Sequence, residues 1–190
     1  MYLIIKELFN LLNLLIFQTY KQKTIMKKII LSLLAIVATL GAVAQNAHIP
    51  SGIALRDLDG KTVQSSVIQN DKGLVILSFW ATWCKPCNRE LNTIKDLYED
   101  WQEETGVKIV AVSIDDARSA SRVKPHVEGN DWPYEVYLDQ NSDLKRAMNV
   151  VNVPHTFILS GDGEILWQHT GYQDGAEEEL IEKVRELSAK

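Results

Sequence analysis

Seven residues, Leu74-Val75-Ile76-Leu77-Ser78-Phe79-Trp80, run almost without a polar break straight into Trp83-Cys84-Lys85-Pro86-Cys87. A run this short and this apolar reads as a strand covered on both faces, which requires a sheet with helices above and below it. The Cys-x-x-Cys pair then opens a segment with helical periodicity. A helix N-terminus leaves backbone N–H groups unpaired and carries positive partial charge. A thiol placed there ionises readily, and the thiolate is the form that attacks disulfides. Cys84 and Cys87 are the only cysteines in the chain. A bridge across two intervening residues closes too small a loop to constrain an unfolded chain much. The pair is therefore better explained by chemistry than by stapling.

The pattern extends in both directions. Residues 53–58 and 62–67 flank Asp59-Gly60, a hairpin-turn signal. Residues 86–104 read as one helix whose apolar stripe is Leu91, Ile94, Leu97, Tyr98 and Trp101, ended by Gly106. A second buried strand follows at 107–114. Residues 116–127 are helix-like but interrupted by Pro125, and 134–138 is a further strand. A short helix at 142–148 has Asn141 or Ser142 as its cap. Strands at 156–159 and 165–169 flank Asp162-Gly163, and an amphipathic helix at 174–187 closes the chain. Alternation in the first half predicts a parallel core sheet, and the closing hairpin predicts antiparallel edges.

The N-terminal region has a different character. Met26-Lys27-Lys28, an apolar stretch at 29–40 and Ala42-Val43-Ala44 make a secretory signal peptide at 26–44, cleaved after Ala44. A membrane anchor is the alternative, but the apolar stretch is shorter than the roughly 20 residues a span needs. No cysteine stands at the cleavage site to carry a lipid. Residues 1–25 hold a second apolar segment, Leu8 to Phe17, broken by Asn10 and Asn13. They read as a non-native upstream extension before a start at Met26, or else as part of a longer membrane-targeting segment. Residues 45–190 then form one domain. Five of the 20 Lys/Arg and one of the 25 Asp/Glu precede residue 45, which leaves that domain at net −9. Such a charge matches neither nucleic acid nor an anionic membrane surface. Export also places the cysteines where disulfides persist.

Phe79-Trp80-Ala81-Thr82-Trp83-Cys84-Lys85-Pro86-Cys87, with Val153-Pro154-His155-Thr156-Phe157-Ile158-Leu159 about 70 residues on, resembles the two landmarks of the thioredoxin superfamily. The likeness spans about residues 50–188. Within the superfamily the chain is most similar to the exported TlpA- and ResA-like thiol–disulfide oxidoreductases. The signal peptide, the N-terminal hairpin, the insert near 115–135 and Val112-Ser113-Ile114-Asp115-Asp116 carry that likeness. The resemblance implies a three-layer α/β fold, a mixed central sheet flanked by helices. It also implies a cis peptide before Pro154, which would leave the Val153 backbone free to pair with a client. Where thioredoxin carries a buried Asp on the strand before the dithiol, this chain has Ser78. Some members of the branch use a Glu three residues past the second cysteine, and Glu90 stands there. It would accept the Cys87 proton; its alternative is a solvated glutamate pairing with Lys85 or Lys95. The proline often found two residues further is Asn92 here, which implies a straighter helix.

The implied mechanism has Cys84 attack a client disulfide and Cys87 resolve the mixed disulfide. Lys85 either eases formation of the thiolate or is an ordinary surface lysine. Pro86 suits a first helical turn. Trp80 and Trp83 either shield the dithiol and offer a landing surface or are plain core. His155 is a metal ligand, a proton relay or a half-exposed strand residue, and His48, His126 and His169 carry no motif. The implied partners are client proteins with cysteines or disulfides and a membrane or envelope electron donor, with no nucleic acid. The protein would be an exported monomer of the periplasm or cell envelope that needs no cofactor. Reduction is the preferred direction, with oxidase or isomerase activity and a redox-inactive binding module as alternatives. A zinc site would want twice the ligands one Cys-x-x-Cys supplies, and a peroxidase would need a differently placed cysteine.

Overall fold

The apolar run becomes the centre of the sheet because both faces of it are needed. Strand β3, Val75–Trp80, is buried at every position. In the computed structural model, which describes Lys21, Gln22 and residues 47–189, the other strands are β1 (Ala54–Asp57), β2 (Thr62–Gln64), β4 (Lys108–Ser113), β5 (Glu135–Leu138), β6 (His155–Leu159) and β7 (Ile165–Thr170). The helices are α1 (Lys85–Lys95), α2 (Tyr98–Thr105), α3 (Val123–Gly129), α4 (Asp143–Ala147) and α5 (Ala176–Ser188). Among the described residues the strands form a seven-stranded sheet in the order β2-β1-β5-β4-β3-β6-β7. Strands β3, β4 and β5 run parallel, and the pairings β1–β2, β1–β5, β3–β6 and β6–β7 are antiparallel. This is the mixed sheet that the alternation of elements predicts. The expected signal peptide at 26–44 lies outside the described residues, as does the extension at 1–25 apart from Lys21 and Gln22. Among the described residues no helix is long and apolar enough to cross a membrane.

Side chains alternate across the sheet and divide the interior in two. Ile76 and Trp80 face Leu91 and Ile94 of α1, Val123 and Val127 of α3, and Leu180 and Val184 of α5. Val75, Leu77 and Phe79 face the opposite side with Phe157, Leu159 and Leu144 of α4. Each fully buried side chain of this size contributes about 1.5–3 kcal/mol by leaving water. Ser78 lies on the first of these faces, the one that carries α1.

Four local expectations are corrected. The single helix at 86–104 is broken into α1 and α2, although α1 itself continues through Asn92. The Leu97 N–H bonds the Ile94 carbonyl, three residues back, and tightens the chain there. The turn carries Tyr98 onto β4, where its hydroxyl accepts the Ile109 N–H at 3.3 Å. The segment at 116–127 begins with a 3₁₀ turn, Ala120–Arg122, before α3. Pro125 is the third residue of α3, where the missing N–H would have been unpaired anyway. Ser142 is the N-cap residue of α4, as expected, but its side chain makes no capping bond. Ser142 adopts φ 57°, and the buried Asp139 carboxylate accepts the N–H groups of Asp143 and Lys145 instead, both at 2.8 Å. Finally, the hairpin pairs Arg56 with Thr62, so its loop is wider than Asp59-Gly60. The Asp57 carboxylate closes it by accepting from Asp59 and Lys61.

Candidate functional site

The dithiol sits where the end of β3 meets the start of α1. Cys84 is the N-cap of α1 and Cys87 lies in its first turn, with Pro86 between them. The two sulfurs are joined as a disulfide, and the Cys87 N–H points at the Cys84 sulfur, 3.3 Å away. Cys84 is 5% exposed and Cys87 is fully buried. An incoming sulfur therefore meets Cys84 first. Trp83, immediately before it, is 63% exposed, while Trp80 is core, edge-on to Trp132 with ring centroids 4.7 Å apart. Lys85 and Arg89 are exposed.

The approach to the dithiol is pinned from below by two polar side chains. Asp115 is completely buried. Its carboxylate accepts the Thr82 N–H at 2.8 Å, the Thr82 hydroxyl at 2.7 Å and the Ser113 hydroxyl at 2.9 Å. Asn88 donates its amide to the carbonyls of Thr82 and Cys84 at 3.3 and 2.9 Å. Its oxygen meets His126 Nε2 at 2.6 Å. Desolvation pushes the His126 pKa below its ordinary value, so the ring is neutral at pH 7 and Nε2 is the donor. Asn92 accepts the Trp132 indole N–H at 2.7 Å, tying α1 to the insert.

One helical turn beyond Cys87, Glu90 points into the interior and is 1% exposed. This contradicts the reading of a solvated glutamate. Lys95 donates instead to the Asn130 carbonyl. Thr156 donates its hydroxyl to Glu90 Oε1 at 2.9 Å, and Ser78 Oγ lies 3.4 Å from the same hydroxyl. The helix thus delivers a carboxylate to the sheet position that Ser78 leaves without one. Glu90 Oε2 has no hydrogen-bond partner.

The second landmark lies at the same end of the sheet. Phe79 pairs with His155, so Pro154 falls level with Trp80, where the dithiol loop begins. The Val153–Pro154 peptide is cis, Pro154 is buried and Val153 is partly exposed. His155 is not half-exposed. It is buried, stacked on Phe157 with centroids 4.5 Å apart, and 3.0 Å from the Gln168 side chain. Burial pushes its pKa down, and it faces away from Thr156 and Glu90. Among the described residues no group of three or more His, Cys, Asp or Glu side chains is placed to hold a metal ion.

A sequence model of the AhpC/TSA family matches residues 43–168. The chain belongs to the AhpC/TSA family. Its curated relatives include the thiol-disulfide oxidoreductase ResA of Bacillus subtilis, 30% identical over 137 residues, which are 72% of this chain and 73% of that protein. ResA of Bacillus thuringiensis is 32% identical over 130 residues, 67% and 72% of the two chains. Among solved structures, a thioredoxin-like protein from Porphyromonas gingivalis is 52% identical, with 74% of this chain and 92% of that one covered and a TM-score of 0.66. StoA from Bacillus subtilis is 25% identical over 72% and 98%, with a TM-score of 0.57. The fold is accordingly thioredoxin-like.

Within this family frame two site residues carry no sequence signal of their own. Asp115 was visible only as part of the run Val112 to Asp116, and its contacts to Thr82 require β4 to lie beside β3. His169, which carries no motif, stands with Nε2 3.6 Å from Glu90 Oε1.

Proposed function

We propose that this protein reduces disulfides of client proteins outside the cytosol by exchange with its Cys84–Cys87 dithiol. It is a thiol–disulfide oxidoreductase, and the observation that carries the reading is the Cys-x-x-Cys pair at the N-terminus of α1 with a buried carboxylate one turn further on. The Cys84 thiolate attacks a client disulfide, forms a bond to one client sulfur and expels the other as a thiolate. Glu90 takes the proton from the Cys87 thiol. The Cys87 thiolate then attacks Cys84, the mixed disulfide breaks, and the second client sulfur leaves with its electrons. The client gains two electrons and the protein is left with the Cys84–Cys87 bridge.

Trp83, Lys85 and Pro86 present the surface a client meets, and the Val153 backbone beside Pro154 offers it a pairing edge. A membrane or envelope electron donor restores the dithiol. The basic, apolar and Ala-x-Ala segments at 26–44 support export to the periplasm or cell envelope, and the acidic domain at 45–190 supports a soluble monomer. Glu90 serves the step in which Cys87 must lose a proton. The same group returns the proton when the reaction runs backwards, so the sign rests on the reduction potential.

Glu90→Gln tests this role. The variant keeps the shape and the Thr156 contact but cannot take the proton. Attack by Cys84 on an aryl disulfide, read by stopped flow, is expected to be unchanged, while release of the second aryl thiolate slows by about a hundredfold at pH 7. An unchanged second release would remove Glu90 from the mechanism.

A further inference from the structure

We propose that His169 is a positioning residue that carries the proton on from Glu90 to solvent. This rests on the role given to Glu90 above and extends it past the carboxylate.

The strand register builds the arrangement. Ser78 pairs with Thr156 across β3 and β6, and Thr156 pairs with His169 across β6 and β7. Directly opposed residues share a face of the sheet, so the three form one polar row beneath α1. Glu90 descends from α1 onto that row. Its Oε1 is shared by the Thr156 hydroxyl at 2.9 Å and His169 Nε2 at 3.6 Å. The second distance is too long for a hydrogen bond, and a movement of under one ångström would close it. Both Glu90 Oε2 and His169 Nε2 are buried without a hydrogen-bond partner. Buried polar atoms left unpaired are uncommon in native proteins and call for a reason. The unpaired nitrogen thus stands 3.6 Å from a carboxylate whose other oxygen is also unpaired, which points to a proton that moves between the two groups.

His169 also spans the distance to water. The Glu90 side chain is 2% exposed, that of His169 21%. Beyond His169 an open hollow of about 520 Å³ is lined by Tyr172, Asp174 and Glu179. Imidazole can take a proton at one nitrogen and release it from the other, which suits a ring set between a buried carboxylate and that hollow. The Trp167 ring packs edge-on against it, centroids 4.9 Å apart, and holds its plane. Tyr172, Asp174 and Glu179 are its titratable neighbours in the hollow, and His155 lies nearby on the opposite face of β6.

The step balances without a further reagent. Cys87–SH and the Glu90 carboxylate become thiolate and carboxylic acid. Glu90 passes its proton to His169 Nε2 and is again a carboxylate, so the proton cannot return to Cys87. The thiolate then closes the Cys84–Cys87 bond and expels the client thiolate. The imidazolium loses a proton from Nδ1 to water in the hollow, so one proton reaches solvent and two electrons reach the client.

The test uses the reduced protein and an aryl disulfide whose two thiolates are released in separable steps. In His169→Gln the first release, which reports Cys84 and an intact fold, is expected to match the parent. The second is expected to slow on the order of tenfold. In His169→Ala, added imidazole is expected to restore the second step in proportion to its concentration, which a structural role would not produce. Adding His169→Gln to Glu90→Gln is expected to slow nothing further, because the proton no longer reaches Glu90. A parental second release in His169→Gln, with Glu90→Gln slow, would overturn this inference and leave the Glu90 role standing. A full additional loss in the double variant, without imidazole rescue, would also overturn it. A parental rate in Glu90→Gln would overturn both.

Discussion

Replacing Cys87 with serine is expected to turn the protein into a trap. Cys84 is the better exposed residue of the pair, 5% against none for Cys87, and it stands at the N-cap of α1, where unpaired N–H groups favour the thiolate. Its attack on a client disulfide needs nothing from Cys87. The second step does, because only a thiolate held against Cys84 can cleave the mixed bond as an intramolecular event. Cys87→Ser should therefore accumulate covalent adducts with clients that run as higher-mass species on non-reducing gels and disappear with reductant. Cys84→Ser should form no such adducts and should lose turnover by about 10⁴-fold or more, as removal of a nucleophile does elsewhere. The asymmetry is the informative part. Equal trapping by the two variants would mean that the burial difference does not choose the attacking sulfur. Trapping by neither would exclude exchange through this pair.

Asp115→Ala is expected to cost about 3 kcal/mol of stability, since it strands three donors, part-buried at Thr82 and buried at Ser113, that now bond its carboxylate. Those donors are the Thr82 N–H, the Thr82 hydroxyl and the Ser113 hydroxyl. For a domain of this size the loss should lower Tm by roughly 10 °C, read by thermal unfolding of the oxidised protein. Thr82 is two residues before Cys84, so the same change should loosen the dithiol loop and slow exchange. Asp115→Asn should fall between the two, because the amide still accepts one bond but offers N–H to a site that already holds donors. A Tm within about a degree of the parent would mean that the carboxylate is replaceable by water and does not pin the loop.

The sequence made β3, the dithiol and the order of elements legible for one physical reason. Apolar runs and Cys-x-x-Cys are local patterns whose meaning does not depend on which strands become neighbours. Glu90 was legible as a position on a helix, three residues past Cys87. Its burial was not, since that depends on Thr156 and Ser78 meeting across β6 and β3. His169 was the hardest to see. Counting outward from the turn, the pairing of Leu159 with Ile165 would set Thr156 opposite Gln168. A register shift between Ile158 and Leu159 moves His169 there instead, and a one-residue shift moves a side chain to the other face of the sheet. The break at Leu97 and the capping of α4 by Asp139 were hidden for a related reason. Both are settled by what the chain packs against, Ile109 in one case and a carboxylate at the end of β5 in the other, not by the propensity of the residues themselves.

The equilibrium reduction potential of the Cys84–Cys87 pair, poised against defined thiol buffers, tests most directly whether the pair is a reducing dithiol. A reversible two-electron transition below about −220 mV is the expected result. A value above about −150 mV would contradict the reductive direction and make the protein an oxidant or isomerase. Absence of any reversible transition would contradict the oxidoreductase itself.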